Sequence, residues 1–248
     1  DKLDFGTDKD KKDAEEFLKE IGHLNLSNAF TVCQHDRFHK ILPTLKDAGV
    51  STLFASHMVE GSGYTTAEFY YQHSGEEKTI DGINIDTIFL APVFIGLPNK
   101  PKDILYSFIC SYGSKHISPI RKEIFKDTHD TNAVIIERQG WQFDADVYGE
   151  QLTDSPISAV QKYINREKSE FYIEALTRSR FSLCPSGTGP TSIRFLESLG
   201  SGAIPVILAD TMMFPTIKGL NWEDCTIKIP EKNYNQLREI LSSITPQE

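Results

Sequence analysis

Small and hydroxyl-bearing residues are concentrated between two apolar stretches in the last third of the chain. The set comprises Ser186, Gly187, Thr188, Gly189, Thr191 and Ser192. Glycines let the backbone approach a ligand closely, while hydroxyl and backbone N–H groups donate hydrogen bonds to phosphate oxygens. Pro190 suits the first position of a helix, so the run predicts a helix N-terminus that binds an anion such as a diphosphate.

Two charged residues follow on the predicted helix over residues 190–199. Arg194 and Glu197 are three residues apart, which places them on one face of that helix. At about 1.5 Å of rise per residue, the glutamate lies roughly 4.5 Å beyond the arginine along the axis. The spacing favours an arginine that pairs with phosphate and a glutamate that accepts ribose hydroxyl groups. A surface ion pair on an ordinary crossover helix is the alternative that the pattern leaves open.

A dinucleotide-binding fold is a second alternative for the same segment. Gly187 and Gly189 follow a predicted strand, and Asp210 ends the next strand about 20 residues later, as the NAD-binding fingerprint requires. The third glycine position is occupied by Ser192, however, and Pro190 interrupts the usual spacing. The residues therefore favour a nucleotide diphosphate over NAD.

Apolar strand-like runs alternate with helix-like runs along the chain. The predicted strands are 29–34, 51–55, 86–92, 104–112, 132–137, 181–185, 203–208 and 225–229, and the predicted helices are 8–21, 38–48, 117–126, 157–179, 190–199 and 234–244. Such alternation is typical of an α/β protein with parallel sheets. A proline-containing linker at 97–102 predicts two small doubly wound domains, 1–100 and 101–248, that face each other. One continuous sheet is the alternative.

Composition and charge narrow the possible classes of protein. Of 248 residues, 39% are hydrophobic and 25% charged, which is the balance of a globular protein and excludes disorder, collagen and coiled coil. The formal net charge of −9 argues against a nucleic-acid partner. No apolar run approaches the roughly 20 residues of a membrane span. We therefore expect a soluble chain, cytoplasmic or, if an anchor was removed, a lumenal domain.

The cysteines give no sign of a metal site. They are Cys33, Cys110, Cys184 and Cys225, and no two form a Cys-x-x-Cys pair. Three of them lie in strand-like apolar runs, where small buried residues are common. We predict free, buried thiols and no zinc.

The run from Phe181 to Asp210 resembles the signature of the exostosin-like glycosyltransferases, glycosyltransferase family 47. The shared features are a strand ending in Cys-Pro, a Gly-x-Gly-Pro-Thr-Ser turn, an arginine and a glutamate on the next helix, and a Gly-x-Ile-Pro-Val-Ile strand. Upstream, residues 105–121 are similar to a strand, small-residue loop and Ile-Arg of the family, and residues 31–36 resemble its His-Asp strand end.

The resemblance implies a GT-B fold of two Rossmann-like domains with a UDP-sugar donor held mainly by the C-terminal one. Arg121 and Arg194, with the loop 186–192, would offset the charge on the departing diphosphate without a metal. Glu197 would bind the donor ribose and Arg138 would meet the base. The sugar, for example xylose, glucuronic acid, N-acetylglucosamine, galactose or arabinose, would pass to a glycan hydroxyl. A non-catalytic glycan-binding or scaffold subunit is the alternative function.

The family inverts the configuration of the sugar, which calls for a side chain that deprotonates the acceptor hydroxyl. His35 and Asp36 directly follow the predicted strand 29–34, and ligands of open α/β sheets bind beyond such strand ends. His57 and Glu60, after the next strand, are rival candidates for the base. A cap or turn role is the alternative for each of the four residues.

We expect Asp36→Asn to lower kcat by about 10²–10⁴-fold, because that is the usual contribution of acid–base catalysis. Donor affinity should stay near the wild-type value, since the other domain is expected to hold the donor. Steady-state kinetics and nucleotide binding by the folded variant test both points. Near-native kcat in both Asp36→Asn and His35→Ala would move the base to His57 or Glu60, and a loss of donor affinity would reverse the assignment of domains to substrates.

Overall fold

The computed structural model describes residues 8–22, 29–34, 38–56, 59–60, 72–73, 79–80, 82–113, 116–140 and 158–245. The chain divides into two compact units. The first comprises residues 1–90 and 211–216, and the second comprises 91–210 and 217–248. The segment 97–102, which the sequence suggested as the linker, belongs entirely to the second unit.

The first unit is a small α/β fold. Its strands are β1 (Ala29–Cys33), β2 (Val50–Ala55), β3 (Val59–Glu60), β4 (Gln72–His73), β5 (Thr79–Ile80) and β6 (Ile83–Thr87), and its helices are α1 (Asp8–Gly22) and α2 (Leu42–Asp47), the latter preceded by a 3-10 turn at Phe38–Ile41. One sheet has the order β1-β2-β6-β5, in which β1, β2 and β6 run parallel. The strands β3 and β4 form a separate parallel pair.

An apolar cluster lies at the core of the described part of this unit. Leu42 and Leu45 of α2 pack with Leu53 of β2 and Ile83 of β6. Met213 also packs against this cluster, which explains why the segment 211–216 returns to the first unit.

The strand predicted at 86–92 lies earlier in the chain, at β6. Buried and exposed residues alternate strictly along Ile83–Thr87. That alternation is already visible in the sequence as apolar Ile83 and Ile85 around polar Asn84, and it is the signal that the prediction missed.

The second unit is built on a five-stranded parallel sheet. Its strands are β7 (Ile104–Cys110), β8 (Val134–Glu137), β9 (Ser179–Pro185), β10 (Ile204–Leu208) and β11 (Ile227–Lys228), and its helices are α3 (Ile120–Lys126), α4 (Ala159–Arg178), α5 (Arg194–Gly200) and α6 (Leu237–Ser243). The strand order is β11-β10-β9-β7-β8, with every neighbouring pair parallel. The prediction of an α/β protein with parallel sheets is confirmed.

Helices cover both faces of this sheet, which explains the nearly continuous apolar sequence of its central strands. On one face, Ile120 and Ile124 of α3 and Leu237 of α6 share a cluster with Phe108 and Phe181. On the other face, Tyr172 and its neighbours in α4 pack with Ile109. A hydrogen bond from Tyr172 to Glu197 places α5 on the same side as α4.

All four cysteines are free thiols, as predicted. Only Cys184 is fully buried, so the prediction of burial is wrong for the others, whose strand ends and loops leave them partly exposed. Within the described residues, no helix has the length and apolar character of a membrane span.

The start of the second unit is fixed by contacts with its helices. Gly96 donates its N–H to Ser201 Oγ at 3.0 Å, and a Cβ on Gly96 would lie 1.9 Å from the Thr177 hydroxyl oxygen. Lys102 Nζ donates to the carbonyl oxygens of Thr177 and Ser201, at 2.7 and 3.0 Å, at the ends of α4 and α5. These contacts explain why the expected linker is part of the fold.

We expect Lys102→Met to lower the free energy of unfolding by about 1.5–3 kcal/mol, since two carbonyl groups lose a charged donor while the apolar stem is kept. Urea unfolding followed by circular dichroism measures the loss. Lys122→Met, at an exposed position of α3, is the matched control. Equal stability of the two variants would contradict the role given to Lys102.

Candidate functional site

The strands β7 and β9 lie side by side, but the helices that follow them cover opposite faces of the sheet. The segments that leave their carboxyl ends, 111–113 and 116–119 after β7 and 186–193 after β9, therefore diverge. Ligands of open α/β sheets bind in the crevice at such a switch point. The topology thus identifies the carboxyl ends of β7 and β9 as the candidate site.

Arg121 links the two diverging segments. Its Nε donates to the carbonyl oxygen of Ser186 at 2.7 Å, and its Nη1 donates to that of Ser111 at 3.3 Å. A backbone hydrogen bond of 2.9 Å from Ile117 N to Gly187 O joins the same segments. The guanidinium group is therefore held in the crevice by main-chain atoms.

Gly187 lies where the loop after β9 passes this guanidinium group. A Cβ at position 187 would lie 2.7 Å from Nη2 of Arg121, closer than real Cβ contacts allow. The glycine therefore permits the close approach of loop and arginine.

Arg194 brings a second positive charge to the same place. It is the first residue of α5, is 8% exposed and donates to the carbonyl oxygen of Ile109 in β7. Its guanidinium carbon lies 4.8 Å from the ring centre of Phe108, and that of Arg121 lies 5.9 Å from the same ring. Both arginines thus stand within cation–π range of one aromatic side chain.

Arg138 lies at the same edge, directly after β8. Its N–H donates to Cys110 O and its side chain donates to the carbonyl oxygen of Lys168 in α4, each at 2.8 Å. Burial, and then the positive charge of Arg194, lower the pKa of Arg138. Contact with a nucleotide base stays a prediction for this residue.

The guanidinium groups of Arg121 and Arg194 donate hydrogen bonds mainly to uncharged acceptors. Burial lowers the pKa of Arg121, and the charge of Arg194 adds to the lowering. Among the described residues, no carboxylate forms an ion pair with Arg121 or Arg194. An arginine stays protonated in spite of such a shift, so an anion in the crevice would be stabilised.

The helix that follows the glycine loop begins at Arg194 and not at Pro190, so the predicted helix N-terminus over 186–192 is wrong. Two glycines disfavour helix formation in this loop, and the N–H of Gly187 is bonded to the carbonyl oxygen of Gly189 at 2.8 Å. Ser186 and Thr191 are buried, Ser192 is half-buried and Thr188 is exposed. The arginines, rather than a helix dipole, supply the positive charge.

Glu197 forms hydrogen bonds with other residues of the second unit. It is 2% exposed; Oε1 accepts the N–H groups of Val93 and Phe94 at 3.1 and 3.0 Å, and Oε2 accepts the Tyr172 hydroxyl at 2.6 Å. The arrangement corrects the expectation of an open carboxylate or of a surface pair with Arg194. Ribose binding by Glu197 stays a prediction that would require these bonds to rearrange.

The four candidate bases stand between positions 35 and 60 of the chain. His35, Asp36 and His57 lie outside the described residues, and for Glu60 only the backbone in β3 is described. No group of three or more His, Cys, Asp or Glu residues that could hold a metal occurs in the described part of the chain.

Sequence reasoning missed Glu231. Its carboxylate accepts the hydroxyl of Ser118 and lies 3.4 Å from the hydroxyl oxygen of Ser186. The available signal was its position shortly after the last strand, where carboxyl-end loops of a parallel sheet meet.

We expect Glu197→Ala to lower the free energy of unfolding by about 2–5 kcal/mol, because each buried donor left without an acceptor costs about 1–3 kcal/mol. Urea unfolding of the purified chain measures it. Glu170→Ala, which removes only a surface ion pair with Arg166, should cost less than about 1 kcal/mol. A Glu197→Ala variant as stable as this control would contradict the bracing role of the buried carboxylate.

Comparisons with known proteins agree with the sequence signature. A probable beta-1,4-xylosyltransferase of Arabidopsis thaliana is 37% identical over 98 residues, which are 40% of this chain and 23% of that protein. A probable glucuronoxylan glucuronosyltransferase of the same plant is 34% identical over 82 residues, 33% of this chain and 18% of the relative. A probable glucuronosyltransferase of Oryza sativa subsp. japonica is 37% identical over 81 residues, 33% and 19% of the two chains.

These matches span less than a quarter of each relative's length. The family model described as the Exostosin GT47 domain covers more of this chain, residues 95–244. That range includes all of the strands and helices of the second unit and the loop between β9 and α5. The chain belongs to the exostosin GT47 family.

Proposed function

We propose that the chain is a UDP-sugar-dependent, inverting glycosyltransferase that transfers a sugar to a glycan hydroxyl. The observation that carries the proposal is the pair Arg121 and Arg194 in the crevice between β7 and β9, without a carboxylate ion pair among the described residues. Two fixed guanidinium groups suit a diphosphate, because each presents several donors to phosphate oxygens.

The donor would lie on the second unit, with its diphosphate at Arg121 and the loop 186–193. Negative charge grows on the diphosphate as the bond to the sugar breaks, and preorganised positive groups stabilise that state. We infer that these arginines replace a metal ion in this role. Glu197 supports the site by bracing α5 through Tyr172, and Arg138 is the group proposed to meet the base.

Two α/β units, of which the second has the parallel order of a Rossmann-like fold, support a GT-B arrangement. The names of the relatives refer to transfer of xylosyl and glucuronosyl groups. These two sugars are therefore the first donors to test, followed by N-acetylglucosamine, galactose and arabinose.

In the proposed reaction the acceptor oxygen attacks the anomeric carbon from the side opposite the diphosphate. The carbon–oxygen bond to the diphosphate breaks, its electron pair leaves with UDP, and the hydroxyl proton passes to a base. Asp36, His35, His57 and Glu60 are the proposed candidates for that base. Each acts only if it reaches hydrogen-bond distance of the acceptor hydroxyl.

One observation favours a non-catalytic, glycan-binding or scaffold subunit as a second candidate. The carboxylate of Glu197 is occupied by three internal hydrogen bonds, as in a residue retained for the fold. Turnover of a UDP-sugar with a xylan-type acceptor separates the candidates, because a scaffold can bind the glycan but releases no UDP.

We expect UDP to bind the wild-type chain in the presence of EDTA, and Arg121→Met to weaken that binding by about 1.5–3 kcal/mol, the range for a hydrogen bond to a charged group. Isothermal titration calorimetry measures both affinities. A bound ligand should also raise the melting temperature, since it stabilises only the folded state.

Arg166→Met is the matched control, because Arg166 is an exposed residue of α4 whose partner is Glu170. It should bind UDP like the wild type. Binding that requires Mn²⁺ would contradict the metal-free proposal, and equal affinity of Arg121→Met and wild type would remove Arg121 from the site.

A further inference from the structure

Glu231 joins three loops at the carboxyl ends of the strands in the second unit. It begins the 3-10 helix Glu231–Gln236 shortly after β11. Its carboxylate accepts hydrogen bonds from Ser118, in the segment after β7, and from Ser186, after β9. Its backbone N–H donates to Asp210 Oδ1, after β10, at 2.9 Å. One carboxylate thus contacts both sides of the crevice.

Ser186 connects this carboxylate to the arginine proposed to bind the diphosphate. The hydroxyl of Ser186 lies 3.4 Å from Glu231 Oε1, and its carbonyl oxygen accepts Nε of Arg121 at 2.7 Å. Ser186 is 1% exposed, so these contacts hold the start of the loop in place. A change at Glu231 therefore reaches Arg121 through a single residue.

The charge of Glu231 opposes an anion at this site. Burial raises the pKa of Glu231, and the negative charge of Asp210 contributes to the increase. A diphosphate at Arg121 would bring another negative charge close to the carboxylate and raise its pKa further. The protonated carboxyl can keep both serine contacts, because its O–H donates to one hydroxyl oxygen while its other oxygen accepts from the second hydroxyl.

We propose that Glu231 is a positioning residue of the diphosphate site, which holds the loop at Ser186 and takes up a proton when the diphosphate binds. The inference rests on the proposed function, because it requires an anionic nucleotide at Arg121. Glu231 lines a cavity of about 400 Å³ together with Ser118, Glu123 and Tyr234. The cavity gives the carboxylate a route by which solvent can supply the proton.

Other ionisable groups surround Glu231. They are Glu123 of α3, Asp210 after β10, and Lys232 and Tyr234 of its own 3-10 helix. His116, in the segment after β7, interacts electrostatically with Arg121. Burial, and then the charge of Arg121, lower the pKa of His116 to about 4. Burial, and then the charge of Asp127, raise the pKa of Tyr234. Both shifts move titration away from neutral pH.

The test is the pH dependence of UDP-xylose binding, measured by isothermal titration calorimetry. The diphosphate of this probe has no terminal phosphate group that ionises near pH 6. Affinity is greatest below the pKa of free Glu231 and falls as pH rises through the higher pKa of the complex. We expect the wild-type affinity to fall about three- to tenfold between about pH 5 and 8, since one pKa unit corresponds to a tenfold change.

Two substitutions distinguish the effect of the negative charge of Glu231 from the effect of its hydrogen bonds to the serines. Glu231→Gln removes the ionisation but keeps a polar group for both serines, so its affinity should stay at the wild-type low-pH value throughout. Glu231→Ala removes both contacts, and we expect it to bind at least about tenfold more weakly than Glu231→Gln at every pH. Glu123→Gln removes an exposed carboxylate of the same cavity and should keep the wild-type profile.

The same pH profile in wild type and Glu231→Gln would overturn the proton uptake. Equal affinities of Glu231→Ala and Glu231→Gln would overturn the positioning role. Failure of the wild type to bind either UDP-xylose or UDP at any pH would overturn the proposed function itself.

Discussion

The adjacency of β7 and β9 is the constraint on which the candidate site depends. The chain forms β8 between these strands in sequence, yet the sheet order places β8 at its edge and leaves β7 beside β9. Their following segments must then separate toward opposite faces, and the crevice between them is joined by Arg121 and by the backbone bond from Ile117 to Gly187. The residues that join these two segments therefore also line the candidate site.

The two arginines in this crevice are oriented by uncharged carbonyl groups, and a buried carboxylate stabilises the helix that carries Arg194. Arg121 and Arg194 donate to backbone carbonyl oxygens, which orient the guanidinium groups without neutralising them. The carboxylate of Glu197 accepts hydrogen bonds from Val93, Phe94 and Tyr172. Three hydrogen-bond donors offset the free-energy cost of burying this carboxylate, which an unpaired carboxylate would bear in full.

Much of the second unit could be predicted from sequence because its strands are continuous apolar runs bounded by loops. The signature also indicates Arg121 and Arg194, whose guanidinium groups lie near the same Phe108 ring; that they bind a ligand stays a prediction. The start of α5 could not be predicted, because Pro190 is compatible with both a helix and a loop. The burial of Glu197 and the contacts of Glu231 depend on segments more than 40 residues away in sequence, from Ser186 to Glu231 and from Val93 to Glu197. No local spacing encodes such contacts.

Hydrogen–deuterium exchange of the whole chain, with and without saturating UDP, is the most direct test of where the nucleotide binds. We expect slower exchange in peptides covering 111–121 and 186–194, the two segments that flank the crevice between β7 and β9. Because the ligand would contact backbone groups there, the change should be largest at the loop that includes Gly187. Unchanged exchange over 186–194 with UDP bound would contradict the assignment of the site.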